Sequence, residues 1–170
     1  MNWNQVVPEI GPRLYRYFAA SFSSETASDL TQETLVRLVT KYEDNQFDPA
    51  QGSLIMFAYG IARLVRLEAW KAQPPEDTYG DPKEYDRRVV QLNGSHDSQA
   101  ETQIAALRIC ISELNEVQQQ IVLLHIDEEL SLQEIGTIVG LPPNTVKSHI
   151  HRAKENLRKK LTPDGELENG

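Results

Sequence analysis

Apolar residues recur three and four apart through most of the chain, and the places where that rhythm fails divide it into units. From Asn4 to Phe22 the positions Val6, Val7, Ile10, Leu14, Tyr17 and Phe18 keep helical spacing, with Gly11-Pro12 expected to kink or restart the helix. Ser23 to Thr26 interrupt the pattern. A second helix is predicted from Ala27 to Tyr42, with Leu30, Leu35, Leu38 and Val39 inward and Asp29, Gln32, Glu33 and Arg37 on the opposite, wet face. The polar segment Glu43 to Pro49, interrupted by the single aromatic Phe47, reads as a loop. A third helix follows from about Ala50 to Ala72. There Leu54, Phe57, Ala58, Ile61, Ala62, Val65 and Ala69 make a broad stripe, and Arg63, Arg66 and Lys71 add positive charge. Three helices with that much apolar surface amount to one small domain over 1–73.

Between 74 and 99 the rhythm disappears. Pro74-Pro75, Gly80-Asp81-Pro82 and Asn93-Gly94-Ser95 punctuate a polar stretch with at most a short helix near Lys83 to Leu92, which reads as a flexible linker. It lacks the apolar spacing to dock on either neighbour, so the units it joins are expected to behave as separate bodies. Helical spacing resumes with Ile104, Leu107, Ile111 and Leu114. After a break at Leu114-Asn115 it continues with Val117, Ile121 and Leu124.

The strongest local signal begins at Ser131. Ser131 and Glu134 have the spacing of a capping box, in which the serine oxygen takes a free N–H of the first turn and the glutamate reaches back to the cap. Leu132, Ile135 and Val139 line the helix, and Gly136 keeps one wall thin enough for a second helix to cross closely. Gly140 ends it, and Pro142 and Pro143 suit a helix entrance. The next helix is expected from near Asn144, its buried stripe formed by Val146, Ile150, Ala153 and Leu157. That register turns Lys147, Ser148, His149, His151, Arg152, Lys154 and Arg158 outward. Two helices meeting at a glycine turn with a basic outer face make a helix-turn-helix, whose first turns face base edges and whose later cations hold phosphates. A basic helix end alone would be a solvated terminus favoured by the helix dipole; the capping box, the turn and the preceding helix tip the reading to DNA. With the helices before it this makes a four-helix unit over 100–162, followed by an acidic tail, 163–170, read as disordered. The fold class is all-α: two small helical domains joined by a flexible linker.

Composition narrows what such a protein does. Its 170 residues are 39% hydrophobic, enough for two small cores, while a formal net charge of −8 and a pI of about 5.0 argue against indiscriminate coating of nucleic acid. Contact with DNA must be local. The lone Cys110 cannot form an internal disulfide, reads as packing, and points to a reducing compartment. No leader pattern opens the sequence and no segment approaches the length of a bilayer span, so a cytoplasmic protein without membrane insertion is expected. The carboxylates of the Glu43 to Pro49 loop lack the spacing and central glycine of a calcium loop. His96, His125, His149 and His151 lack a nucleophile or metal-ligand spacing. No catalytic residue, metal or cofactor is expected.

Three stretches in this order resemble the extracytoplasmic-function branch of the bacterial sigma factors, the RNA polymerase subunits that recognise promoters. DLTQETLVRLVTKY, Asp29 to Tyr42, is similar to that family's polymerase-binding helix, and FDPAQGSLIMFAYGIARL, Phe47 to Leu64, to its promoter-opening segment. The stretch Leu114 to Leu161 resembles its promoter-binding C-terminal domain. The resemblance covers most of the chain. It implies that Asp29, Gln32, Glu33 and Arg37 grip a coiled coil of core polymerase. It also implies that Asn45, Phe47, Asp48, Phe57, Tyr59 and Arg63 meet the melted promoter, although packing in the core is the favoured role for Phe57. Asn144, Thr145, Lys147, Ser148, His149, Arg152, Lys154 and Arg158 would face the upstream promoter element. Core polymerase and promoter DNA are the implied partners, with an anti-sigma protein as a further one, and the free chain is expected to be a monomer.

The sequence departs from the family at Leu64, where an asparagine is usual, at Leu67 to Gln73, where the helix end is usually basic, and at Phe57, where tryptophan is typical. Two other readings therefore stand beside the first. One is a sigma-like decoy that binds an anti-sigma protein without promoter DNA. The other is a ligand-sensing helix-turn-helix repressor, usually dimeric. Binding to core polymerase separates both from a sigma factor.

Overall fold

The computed structural model describes residues 1–72, 109, 111–127 and 129–161, the side chains of 160 and 161 excepted, and six helices are assigned among those described residues. The expected linker 74–99, the stripe residues Ile104 and Leu107, His96, Cys110 and the tail 163–170 lie outside the described residues. The all-α class holds among the described residues.

Helix α1 (Trp3–Ala19) starts where the Asn2 side chain accepts the Asn4 N–H at 3.2 Å, and it runs without interruption through both Pro8 and Pro12. The kink or restart expected at Gly11-Pro12 does not divide it. Helix α2 (Ser24–Glu43) begins three residues earlier than its apolar pattern, because Ser23 caps it by accepting the Thr26 N–H. Its buried positions are Ala27, Thr31, Thr34 and Leu38 rather than a leucine stripe; Leu30 and Leu35 flank them, half-buried. The threonines tolerate burial because each hydroxyl donates to a carbonyl one turn back, Thr31 to Ala27 and Thr34 to Leu30, both at 2.7 Å. Helix α3 (Leu54–Ala72) starts later than expected. Residues 48 to 53 instead make a turn in which Asp48 Oδ1 accepts the Ala50 N–H and Ser53 Oγ accepts the Met56 N–H. Along α3 the predicted stripe is buried at Ala58, Ile61, Ala62 and Val65, but Tyr59 and Arg66 are buried too.

Helices α1, α2 and α3 pack on one another, and α4 (Glu116–Ile126), α5 (Leu132–Val139) and α6 (Pro143–Leu161) form a second mutually packed group. The expected break before α4 is a cap: Asn115 Oδ1 accepts the Gln118 N–H at 2.9 Å. Both halves of the capping box at Ser131 and Glu134 form, and Gly140 ends α5 in the left-handed region at φ 76°. A Cβ on Gly136 would stand 2.5 Å from the Leu141 carbonyl oxygen, so the absence of a side chain there sets how closely the two helices of the turn approach.

The two groups do not stand apart, contrary to the expectation of separate bodies. α3 packs on α5, and the buried side chains of both groups form one apolar cluster. Helix α4 shows why. Its residues Gln119, Gln120, Ile121, Val122, Leu123 and Leu124 are buried in succession, as happens only when a helix is covered on more than one side. Val117, placed by periodicity in the inward stripe, is 41% exposed instead. The helix-turn-helix covers one side of α4; the N-terminal group reaches the other through polar side chains.

Candidate nucleic-acid interface

Helix α6 presents the basic face predicted for it. Val146, Ile150 and Ala153 are buried, Leu157 is half-buried, and Asn144, Lys147, Ser148, His151, Arg152, Lys154 and Arg158 are exposed. Thr145 and His149 are half-buried. The His149 ring lies against α4, its Nδ1 3.5 Å from Gln118 Nε2. The Ser148 hydroxyl donates to the Asn144 carbonyl at 3.1 Å, leaving its oxygen to act outward as an acceptor. His151 Nε2 lies 3.4 Å from Glu155 Oε1. The structure thus brings Lys147, Ser148 and Arg152 together on one exposed face, with His149 turned inward beside it.

On α2, Asp29, Gln32 and Glu33 are exposed as expected, but Arg37 is engaged. Its Nε donates to Glu33 Oε1 at 2.8 Å, and its two terminal nitrogens hold both oxygens of Glu68 on α3 at 3.0 and 2.7 Å. Those hydrogen bonds hold the Glu68 carboxyl below its ordinary pKa and raise Arg37 above its own. Glu68 was not among the sequence candidates. Its signal was that it stands within Leu67 to Gln73, where a basic helix end was missing.

The six residues expected at the melted promoter do not form one surface. Asn45 adopts the left-handed conformation at φ 58°, which asparagine tolerates, and both it and Asp48 are exposed. Phe47 sits half-buried between Tyr42, with ring centroids 5.8 Å apart, and Phe57 at 5.4 Å, so Phe57 packs within an aromatic row. Tyr59 follows Phe57 by two residues, about 200° around the helix, and faces the C-terminal group. Its hydroxyl donates to Asp127 Oδ2 at 2.6 Å, and Arg63, one turn on, donates from Nε to Gln120 Oε1 at 2.9 Å.

Arg66 continues that face and was missed. The spacing along α3 gives Arg66 only as added positive charge, yet its side chain is 0% exposed. The guanidinium carbon lies 5.8 Å from the Tyr17 and Phe22 ring centroids and 5.7 Å from that of Trp70. Nε donates to Glu116 Oε1 at 2.9 Å and Nη2 to Gln119 Oε1 at 2.7 Å. The available signal was spacing: Arg66 stands four residues after Ala62 and four before Trp70, on the apolar side of α3. Tyr17, buried beside it, has its phenol pushed up to about 12 by desolvation. From α1, Arg13 grips Asp127 with two hydrogen bonds of 2.7 and 2.8 Å and reaches Glu129 at 3.0 Å. Burial alone would raise the Asp127 carboxyl; the hydrogen bonds from Arg13 and Tyr59 outweigh it and hold it below the usual value.

Residues 104–157 match the family described as Sigma-70, region 4. Over 159 residues, 92% of this chain, the sequence is 27% identical to the ECF RNA polymerase sigma factor SigE of Mycolicibacterium smegmatis, and it spans 60% of that protein's length. It is also 27% identical over 164 residues to the RNA polymerase sigma factor YlaC of Bacillus subtilis, covering 89% of this chain and 86% of the other. The fold is similar to that of the sigma factor RpoE in its complex with the anti-sigma factor NepR from Bartonella quintana. That likeness has a TM-score of 0.64 at 20% identity and covers 96% of this chain and 98% of the other. No helix of the described residues is long and apolar enough to cross a membrane.

Proposed function

We propose that this chain, which matches Sigma-70, region 4 over 104–157 and is similar over 92% of its length to an ECF RNA polymerase sigma factor, is itself an RNA polymerase sigma factor of the extracytoplasmic-function branch, binding core enzyme in the cytoplasm, directing it to promoters and helping to open them. The observation that carries this reading is the reader helix: a capped, glycine-turned helix-turn-helix that holds Lys147, Ser148 and Arg152 on one exposed face. In this proposal 1–73 form the polymerase-binding and promoter-opening domain, 74–99 the linker, 100–162 the upstream-element reader and 163–170 a tail. Asp29, Gln32 and Glu33 supply the polymerase-facing surface together with Arg37, which Glu68 holds in place. Asn45, Phe47 and Asp48 meet the separated strand, whereas Tyr59 and Arg63 face the C-terminal group from another side of α3. Opening is driven by binding free energy to the strand, which calls for no catalytic group or cofactor. An anti-sigma protein is a further proposed partner, as NepR is for the sigma factor of similar fold.

Run-off transcription with purified core polymerase and genomic promoter fragments tests the reading. The double change Asp29→Lys with Glu33→Lys should abolish co-purification with core enzyme while helicity persists, because both residues are exposed on a helix whose buried side they do not touch. Wild-type-like binding of that variant would move the polymerase contact elsewhere. A chain that binds an anti-sigma protein yet never supports transcription would be the decoy. For the reader helix, Lys147→Ala should relax preference at one promoter position by about 1–3 kcal/mol. Lys154→Ala should weaken all sequences alike and reduce the salt slope by about 0.9. Promoter-variant transcription at several salt concentrations distinguishes the two, and unchanged promoter choice and salt dependence in both would show that α6 is not the reader.

A further inference from the structure

A row of four aromatic rings runs from the start of α1 to the start of α3. Trp3, the first residue of α1, meets Tyr42 edge to face with ring centroids 5.3 Å apart. Tyr42, in the last turn of α2, stacks on Phe47 at 5.8 Å and an interplanar angle of 26°, and Phe47 meets Phe57 at 5.4 Å. These separations lie in the attractive range for aromatic pairs. All four rings are half-buried, so the row borders the N-terminal group rather than filling its core. The loop beside it is closed by its own backbone. With Asn45 in the left-handed conformation, the Asn45 N–H donates to the Tyr42 carbonyl at 3.0 Å and the Gln46 N–H to the Lys41 carbonyl at 2.9 Å, the paired bonds of a Schellman turn. The Lys41 ammonium also donates to Gln46 Oε1 at 3.1 Å, and Asp48 closes the exit by accepting the Ala50 N–H at 2.9 Å. Asn45 and Asp48 stay exposed on either side of Phe47.

We infer that Trp3 is a positioning residue for the strand: through Tyr42 it holds Phe47, and with it the exposed side chains of Asn45 and Asp48, in the shape that meets the separated strand. The inference rests on the strand-facing role proposed above for this loop. The Schellman bonds end α2, but the side on which the Phe47 ring lies is set by its stacking on Tyr42. Trp3 in turn restricts Tyr42, because an α1 side chain packed on that ring leaves it fewer rotamers. A loop already held in its bound shape spends no binding free energy on ordering. Without the hold, the apparent strand affinity is the intrinsic one multiplied by the fraction of time the loop keeps that shape. Periodicity along the sequence gave Trp3 no role, and its place in the row appears only when α1 lies against the end of α2.

The test compares the full chain with Trp3→Ala, Trp3→Phe and Ile10→Val, the last a control that loosens the buried side of α1 away from the row. Fluorescence anisotropy reports binding to a labelled single-stranded DNA of mixed sequence, with excess unlabelled duplex present to occupy α6. Hydrogen exchange at the Asn45 and Gln46 amides reports on the loop, and thermal unfolding reports on stability. Trp3→Ala should bind the strand about tenfold more weakly if the unheld loop keeps the bound shape one-tenth of the time. Its Asn45 and Gln46 amides should exchange faster, and its salt slope should stay as in the wild type, because no cation is lost. Trp3→Phe should restore both affinity and amide protection, since an aromatic partner for Tyr42 is kept. Ile10→Val should melt earlier yet keep both. Wild-type strand affinity or wild-type exchange in Trp3→Ala would overturn the inference, as would an equal loss of affinity in Ile10→Val, which would reduce the effect to general destabilisation. A wild-type chain that neither binds the strand nor supports run-off transcription with core polymerase would remove the strand-facing reading and the inference with it. Run-off transcription by a wild type whose strand affinity Trp3→Ala leaves unchanged would overturn the inference alone.

Discussion

Replacing Arg66 by alanine should lower the stability of the folded chain by about 3–5 kcal/mol, because it removes one partner of a buried ion pair. The change removes a fully buried side chain from between Tyr17, Phe22 and Trp70 and leaves space among those rings. It also leaves Glu116, 30% exposed, without its guanidinium, and Gln119 without a donor on its side-chain oxygen. Arg66→Met should recover part of the loss, because an unbranched apolar chain refills the aromatic box while the Glu116 carboxylate stays uncompensated. Urea unfolding of the three proteins measures the difference. Alanine and wild-type midpoints that coincide would mean that Arg66 is solvated in solution rather than boxed.

Gly136→Val should disrupt the helix-turn-helix itself and abolish duplex reading while the N-terminal helices remain folded. A side chain at 136 meets the Leu141 carbonyl oxygen at 2.5 Å and comes within 3.6 Å of Pro143 N, both backbone atoms that cannot rotate away. Relief requires moving the start of α6, and with it Lys147 and Ser148. Overpacking of this kind costs about 1–3 kcal/mol for a small group, and a β-branched side chain lies at or beyond the upper end. Gly140→Ala provides the contrast. Nothing lies within 4 Å of a Cβ there, so its cost is confined to holding a non-glycine residue at φ 76°, roughly 1–2 kcal/mol, with the turn geometry kept. Thermal unfolding followed with duplex-binding assays separates the cases; a valine variant that still binds duplex DNA would show that the turn can yield without moving the reader.

The departures from expectation share a direction. The leucines expected to fill the inner side of α2 flank a narrower stripe of Ala27, Thr31, Thr34 and Leu38, because hydroxyls satisfied by their own helix can be buried and small side chains admit a close neighbour. Val117 reads as core and is exposed, whereas Arg66, which reads only as added positive charge, and Gln119 and Gln120, which stand outside the predicted stripe, are buried. For the buried polar residues, side-chain type was informative about solubility in water and silent about which partner would satisfy the polar group.

What the sequence determined by itself is the local structure: helices in their order, the capping box at Ser131, the left-handed stop at Gly140 and the register that turns Lys147 and Arg152 outward. Caps, turns and periodicity act over a few residues, and their causes lie within the stretch that shows them. Only the tertiary structure decided that the two helical groups dock, through Arg13, Tyr59, Arg63 and Arg66 on Asp127, Gln120, Glu116 and Gln119. Those pairs lie 50 to 114 residues apart in the chain. An arginine carries the same side chain whether it faces water or a carboxylate of another helix, and only the packed fold brings the two together.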